Sequence, residues 1–264
     1  MPVTWASWAV TDVGTVRSGN QDAFVDRPDL LVWAVADGAG GHEQGEVASA
    51  ELKATLEAPL SLSGADLIAA VRARVAAVHN GLRQRAGQEQ ARTGQAVTIA
   101  STLVVFLADG DHFACLWCGD SRAYLLRDGA MLQLTRDHSL VQEMVDAGVL
   151  AAGDAERHPH ANVLTRAIGS EGDAPELDKI TGQAEPGDRF LLCSDGLFKA
   201  LDEARIGHLA ASDDPARRLI DAALAASARD NVTALVLQAL PPLPPEPLWP
   251  LEPFVWDREP VRRG

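Results

Sequence analysis

Apolar runs that begin or end at an aspartate constrain this chain most. Asp37 closes LLVWAVAD, Asp120 follows HFACLWCG and Asp195 follows RFLLCS, while Asp230 precedes NVTALVLQ. Asp22 ends the polar loop RSGNQD just ahead of a short apolar segment. Runs of this length, bounded by glycine and polar residues, read as buried strands. Taken singly, an aspartate beside glycine is an ordinary turn residue. Several at the ends of strands that share sheets would repel one another unless cations lay between them.

The order of elements follows from periodicity. Trp5 to Val13 reads as a first strand, Ala23 to Val25 as a short one and Leu30 to Ala36 as a strand suited to burial on both faces. Glu43 to Leu56 reads as a helix. Leu67, Val71, Val75, Val78 and Leu82 recur at helical spacing, predicting a long helix over Gly64 to Arg85, with a loop from Gly87 to Gln95. The period then changes. Val97 to Leu107 and His112 to Cys118 are joined by Asp109-Gly110, and Ser121 to Leu126 and Met131 to Leu134 by Asp128-Gly129. Asp-Gly supplies the positive φ angles of tight hairpin turns, which predicts an antiparallel meander. Ser139 with Gln142 resembles a capping box opening a short helix that Gly148 ends. Ala151 to Pro186 is turn-rich, with a short strand at Val163 to Ile168. A strand over Asp188 to Ser194, helices over Asp202 to Leu209 and Pro215 to Ala226, and a strand over Val232 to Leu237 complete the series. This order gives an α+β fold with antiparallel sheets.

After Leu240 the composition shifts, and the last stretch holds eight of the fifteen prolines. Residues 241–264 are expected to form an extended or disordered tail, and 1–240 the folded domain. Trp249, Phe254 and Trp256 are its candidate docking residues.

A net charge of −14 argues against nucleic-acid binding, which needs a basic face. The three cysteines make a poor disulfide framework, favouring a reducing compartment. With no basic leader and no apolar run of about 18 residues, the expectation is a cytoplasmic protein without a membrane span.

Oxygen-only ligands suit Mg2+ or Mn2+ rather than zinc. Two such ions can activate water and offset charge on a phosphoryl group. Arg17 could then clamp phosphate, and His42 could protonate a leaving alkoxide.

RSGNQD, VADGAGGH, STLVV, GDSRAYL, LTRDHS, LTRAIG, LLCSDGL and RDNVT stand in that order between about Thr11 and Leu237. In this the chain resembles bacterial type 2C metal-dependent protein phosphatases. The resemblance implies two stacked antiparallel sheets flanked by pairs of antiparallel helices, a four-layer αββα sandwich. It implies hydrolysis of phosphoserine and phosphothreonine by a metal-bridging hydroxide, with no phosphoenzyme. Carried over by position, Asp37 bridges two metals and Gly38 offers a carbonyl to one. Asp195 and Asp230 are further ligands, Asp22 holds metal-bound water and Asp120 serves a third ion. Arg17 binds substrate phosphate, and His42 is the general acid. The turn-rich region from about Val145 to Gln183 corresponds to a mobile flap. Phosphorylated proteins and a cognate Ser/Thr kinase are the implied partners, and a monomer the implied state. Ala39, Ala100 and Ala228-Arg229 depart from the family pattern, but none removes a ligand.

Rival readings fare worse. DGAGGHE approaches a dinucleotide fingerprint, but Glu43 stands where the third glycine is needed and the strand–helix alternation is missing. Cys115 and Cys118 lie three apart in a strand and face opposite sides, so they are core thiols rather than a redox pair. No cysteine has an arginine six positions on, which argues against a cysteine-dependent phosphatase. A non-catalytic, phosphatase-like regulatory module that binds phosphoprotein is the remaining alternative.

Overall fold

The structure, a computed structural model, describes residues 3–40, 43–59 and 62–242. His42 and the tail aromatics therefore lie outside the described residues. The chain forms β1 (Thr4–Asp12), β2 (Asp22–Arg27), β3 (Val32–Ala39), α1 (Glu43–Glu57) and α2 (Gly64–Thr93). Then come β4 (Ala100–Ser101), β5 (Leu103–Asp109), β6 (His112–Cys118), β7 (Arg122–Arg127), β8 (Ala130–Gln133) and α3 (Leu140–Asp146). After a 3-10 turn at Ala152–Arg157 follow β9 (Asp178–Gln183), β10 (Arg189–Cys193), α4 (Asp195–Ala200), α5 (Glu203–Ala210), α6 (Pro215–Ala225) and β11 (Val232–Leu240).

One antiparallel sheet has the order β1-β11-β10-β7-β8; the other has β2-β3-β5-β6-β9, with β4 beside β3. Three apolar layers hold them together. Trp33, Phe106, Phe113 and Phe190 fill the space between the sheets, with Trp5 packed against them. The Phe106 and Phe190 rings lie 4.6 Å apart, in the range of attractive aromatic pairs. Leu52, Val71, Val75 and Leu82 bury α1 and α2 on the second sheet, while Ile206, Leu219 and Ile220 bury α5 and α6 on the first. The expected αββα layering is the one observed. Cys115 faces the inter-sheet layer and Cys118 the helix-facing layer, and both are free.

Several local expectations are corrected. The segment 87–93 is helical, not a loop: Gln, Arg and Glu are good helix formers even without an apolar stripe. Arg92 pairs with Glu89, and the helix stops only at Gly94, with φ 73°. The meander is instead two hairpins in two sheets, because β6 pairs with β9 and β7 with β10. The Asp128-Gly129 turn does adopt the expected geometry, with φ 51° and 78°. Residues 163–168 contribute only isolated bridges, Leu164 to Ser139 and Ile168 to Ser101, and not a strand. The edge strand β9 and the short helix α4 depart from the sequence expectation; β9 is polar and largely exposed, so it carries no apolar signal.

Antiparallel pairing brings particular strand ends together. Asp22 stands directly opposite Asp37, and Leu103 opposite Cys118, at one end of the second sheet. Asp12 opposite Val232, and Cys193 opposite Arg122, mark the same end of the first. No helix among the described residues is long and apolar enough to cross a membrane.

Candidate active site

The carboxylates gather at this shared end. Asp22, at the start of β2, is only 8% exposed. Its Oδ2 accepts hydrogen bonds from Ser194 Oγ at 2.6 Å and Thr233 Oγ1 at 2.7 Å, so residues of one sheet hold a carboxylate of the other. Its Oδ1 is buried and has no partner. Burial raises the Asp22 carboxyl to about 7 despite those two hydroxyls, with Asp195 and Asp230 adding repulsion.

Asp37 is held by its backbone. Its N–H donates to Thr102 Oγ1 at 3.1 Å, and its carbonyl accepts from Thr102 N at 2.8 Å and Ser101 Oγ at 2.9 Å. The carboxyl is pushed well above its usual range, first by burial and then by Asp22, Asp195, Asp120 and Asp230. Gly38 is fixed by close approach: a Cβ there would lie 2.1 Å from the Gly45 carbonyl oxygen in the first turns of α1. Only glycine lets strand and helix meet at this distance.

Asp120 follows Gly119, whose φ of 106° and contact with Thr102 at 2.6 Å from a would-be Cβ leave no room for a side chain. Its carboxyl is 7% exposed and rises to about 7, chiefly through burial and then through Asp195, while Lys199 and Arg122 oppose the rise. Asp195 opens α4 and is hydrogen-bonded by the Lys199 ammonium four residues on. Asp230, just before β11, accepts from Arg17 Nη2 at 2.7 Å; both side chains are well exposed, at 52% and 38%.

Among the described residues, no three His, Cys, Asp or Glu side chains form a ready cage for a metal. Arg17 and Lys199 hold Asp230 and Asp195 as counter-ions. The donor set still fits a hard divalent cation. Three carboxyls are held up by burial and mutual repulsion, and one buried oxygen is left unpaired.

Supporting residues lay partly hidden in the sequence. Asn231 accepts from Gln21 N at 2.8 Å and donates to the carbonyls of Val13 and Gly19, clamping the Arg17-bearing loop. Ser194 lies in LLCSDGL, and Asn231 and Thr233 in RDNVT, which was the available signal; Lys199 lies outside these motifs. From the turn-rich segment, Glu156 meets Arg122 at 3.0 Å and Asn162 meets Lys199 at 2.6 Å. Arg122 also chelates buried Asp137 and lies 3.6 Å over the Phe198 ring. An open cavity of about 770 Å³ lined by Arg17, Asn162, Lys199 and Asp230 runs along this rim.

The protein phosphatase 2C family model matches residues 15–236. Serine/threonine protein phosphatase PstP of Mycobacterium tuberculosis is 37% identical over 232 residues, covering 86% of this chain and 44% of that protein. The chain thus spans less than half the length of that relative. The solved structure of PppA, described as a key regulatory component of T6SS in Pseudomonas aeruginosa, superposes with a TM-score of 0.82 at 38% identity, covering 90% of this chain and 99% of that one. The catalytic domain of PstP in complex with 2 manganese ions superposes with a TM-score of 0.78 at 32% identity, covering 90% and 100%. With a shared sandwich, matched motifs and a family model spanning nearly the whole described chain, this protein belongs to the protein phosphatase 2C family.

Proposed function

We propose that this chain is a metal-dependent phosphatase acting on phosphoserine and phosphothreonine in proteins, opposing a Ser/Thr kinase. The observation that carries this reading is the buried, unpartnered Asp22 Oδ1 in a rim of carboxylates where burial and neighbouring acids raise Asp22 and Asp37. Asp37, the Gly38 carbonyl, Asp195 and Asp230 would hold two Mn2+ or Mg2+ ions, with Asp22 holding coordinated water. When bound, such ions supply Lewis acidity that activates water and offsets charge on the phosphoryl oxygens.

The chain's own residues do the rest. Arg17, once released from Asp230, offers a planar fork to phosphate oxygens. Ser194 and Thr233 fix the orientation of Asp22, so its position is set before substrate arrives. No side-chain thiol competes as nucleophile: burial pushes Cys115, Cys118 and Cys193 up to about 12, far from the thiolate. His42 is proposed as the donor to the leaving oxygen. Residues 1–240 are the proposed catalytic unit, acting as a monomer in the cytoplasm.

The test is Mn2+-dependent hydrolysis of p-nitrophenyl phosphate and of a phosphothreonine peptide. Activity in the wild type that vanishes in Asp37→Ala is expected. No activity in the wild type, or full activity in the variant, would overturn the reading. For His42, His42→Ala should lose more activity on poor leaving groups than on p-nitrophenolate; equal losses would retire the role.

A further inference from the structure

Asp120 and Asp195 are neighbouring carboxylates, and like charges so placed repel. Lys199 is attracted to both of them. Its ammonium is hydrogen-bonded to Asp195 Oδ2 and donates to Asn162 Oδ1 at 2.6 Å. It also lines, with Asp120, Ser139 and Phe198, a cavity of only about 20 Å³. Its side chain is 26% exposed, so the charge is partly withdrawn from water, and α4 holds it one turn beyond Asp195.

We infer that the Lys199 ammonium is a built-in counter-ion for the Asp120–Asp195 pair, filling by charge the place a further divalent cation would take. The geometry gives the lysine a second attachment through Asn162, so the turn-rich segment helps to hold the ammonium in place. The third ion expected at Asp120 is then disfavoured in this chain. Lys199 acts as a positioning residue, because it touches a proposed ligand rather than the reacting atoms. The inference rests on the proposed two-ion centre formed around Asp37.

Mn2+ binding to the full chain, measured by titration calorimetry with equilibrium dialysis, tests it without recourse to activity. The wild type is expected to take two ions per chain. Lys199→Gln should take a third, or bind its weakest ion about tenfold more tightly, because a positive charge beside the carboxylates is gone. Lys199→Arg, which keeps the charge, should behave as wild type, and adding Asp120→Asn to Lys199→Gln should abolish the gain. Circular dichroism of each variant guards against misfolding. Identical isotherms in the wild type and Lys199→Gln, or a gain that survives Asp120→Asn, would overturn the inference. A wild type that binds no Mn2+ would instead sink the metal-centre reading, and this inference with it.

Discussion

Arg17 and Asp230, 213 residues apart in sequence, meet at 2.7 Å across the mouth of the carboxylate cluster. Because both side chains are well exposed, the pair is easily exchanged and contributes little to stability. A cation at Asp230 would compete with the guanidinium and turn it toward substrate. Arg17→Ala should therefore lower kcat/KM about 10- to 100-fold, the worth of a charge-assisted hydrogen bond, while leaving Tm within about a degree. Steady-state kinetics with a melting curve checks this; a fall in Tm with unchanged kinetics would refute it.

Metal binding should release protons. Asp22 and Asp120 are held at about 7, so they are largely protonated near pH 6 and largely ionised near pH 8. Calorimetry of Mn2+ in buffers of different ionisation enthalpy should show net proton release near pH 6 that falls toward pH 8. The sign for the metal-free chain follows. A carboxyl raised above its unfolded value costs no stability below about pH 4 and increasingly destabilises as pH rises toward 7. His138, whose pKa burial lowers, works in the opposite direction. Comparing melts with Mn2+ and with EDTA isolates the carboxylates, and the Mn2+-induced rise in Tm should grow with pH.

Ser194→Ala should cost about 1–3 kcal/mol of stability, because it removes a buried bond to Asp22 and the acceptor of Thr233 N–H. Since the hydroxyl favours ionised Asp22, Mn2+ affinity at neutral pH should fall as well. Denaturant unfolding and metal titration read the two effects separately. Weakened stability with unchanged affinity would mean that Asp22 takes no part in binding metal.

Two glycine substitutions should move Tm in opposite directions. At Gly196 a Cβ would stand 2.0 Å from the Asn231 carbonyl oxygen, so Gly196→Ala should destabilise by about 1–3 kcal/mol. At Gly87, within α2, a Cβ meets nothing within 4 Å, so Gly87→Ala should stabilise by about 0.5–1 kcal/mol. A destabilised Gly87→Ala would contradict the helical assignment there.

Ending the chain after Pro242 should leave Tm and p-nitrophenyl phosphate turnover within about twofold of the full chain. This follows from β11, the last strand, closing at Leu240 with its partners Thr4 and Trp5 in place. A large loss of either would give the tail a structural or catalytic part and move the domain boundary.

The elements legible in sequence were those with a strong apolar period. β3, β5, β6, β10 and the buried face of α2 bury almost every apolar side chain, and their apolar runs and helical spacing are written in residue type. The C-terminal turns of α2 and strand β9 lack that period. The first depends on backbone hydrogen bonds among polar helix formers, and the second on pairing with β6 across a long sequence gap. Strand assignment to sheets was not legible either, because Asp128-Gly129 encodes the β7–β8 hairpin but not the pairing of β7 with β10 on its other side. At the site, Asp22, Asp37, Asp120, Asp195 and Asp230 stood out by their place at strand ends. Lys199 did not, since a lysine four residues after an aspartate is common on any helix, and only its neighbours Asp120 and Asn162 distinguish it.

The bonds from Ser194 and Thr233 to Asp22 cross from one sheet to the other. A slip of one residue between the sheets, about 3.3 Å, would part hydroxyls from carboxylate and leave two intact sheets with no working centre between them. Reactivity here is thus a vernier on the alignment of two separately built halves. Damage to the aromatic packing around Phe190 and Phe106 should register as lost turnover while both sheets still keep their native secondary structure.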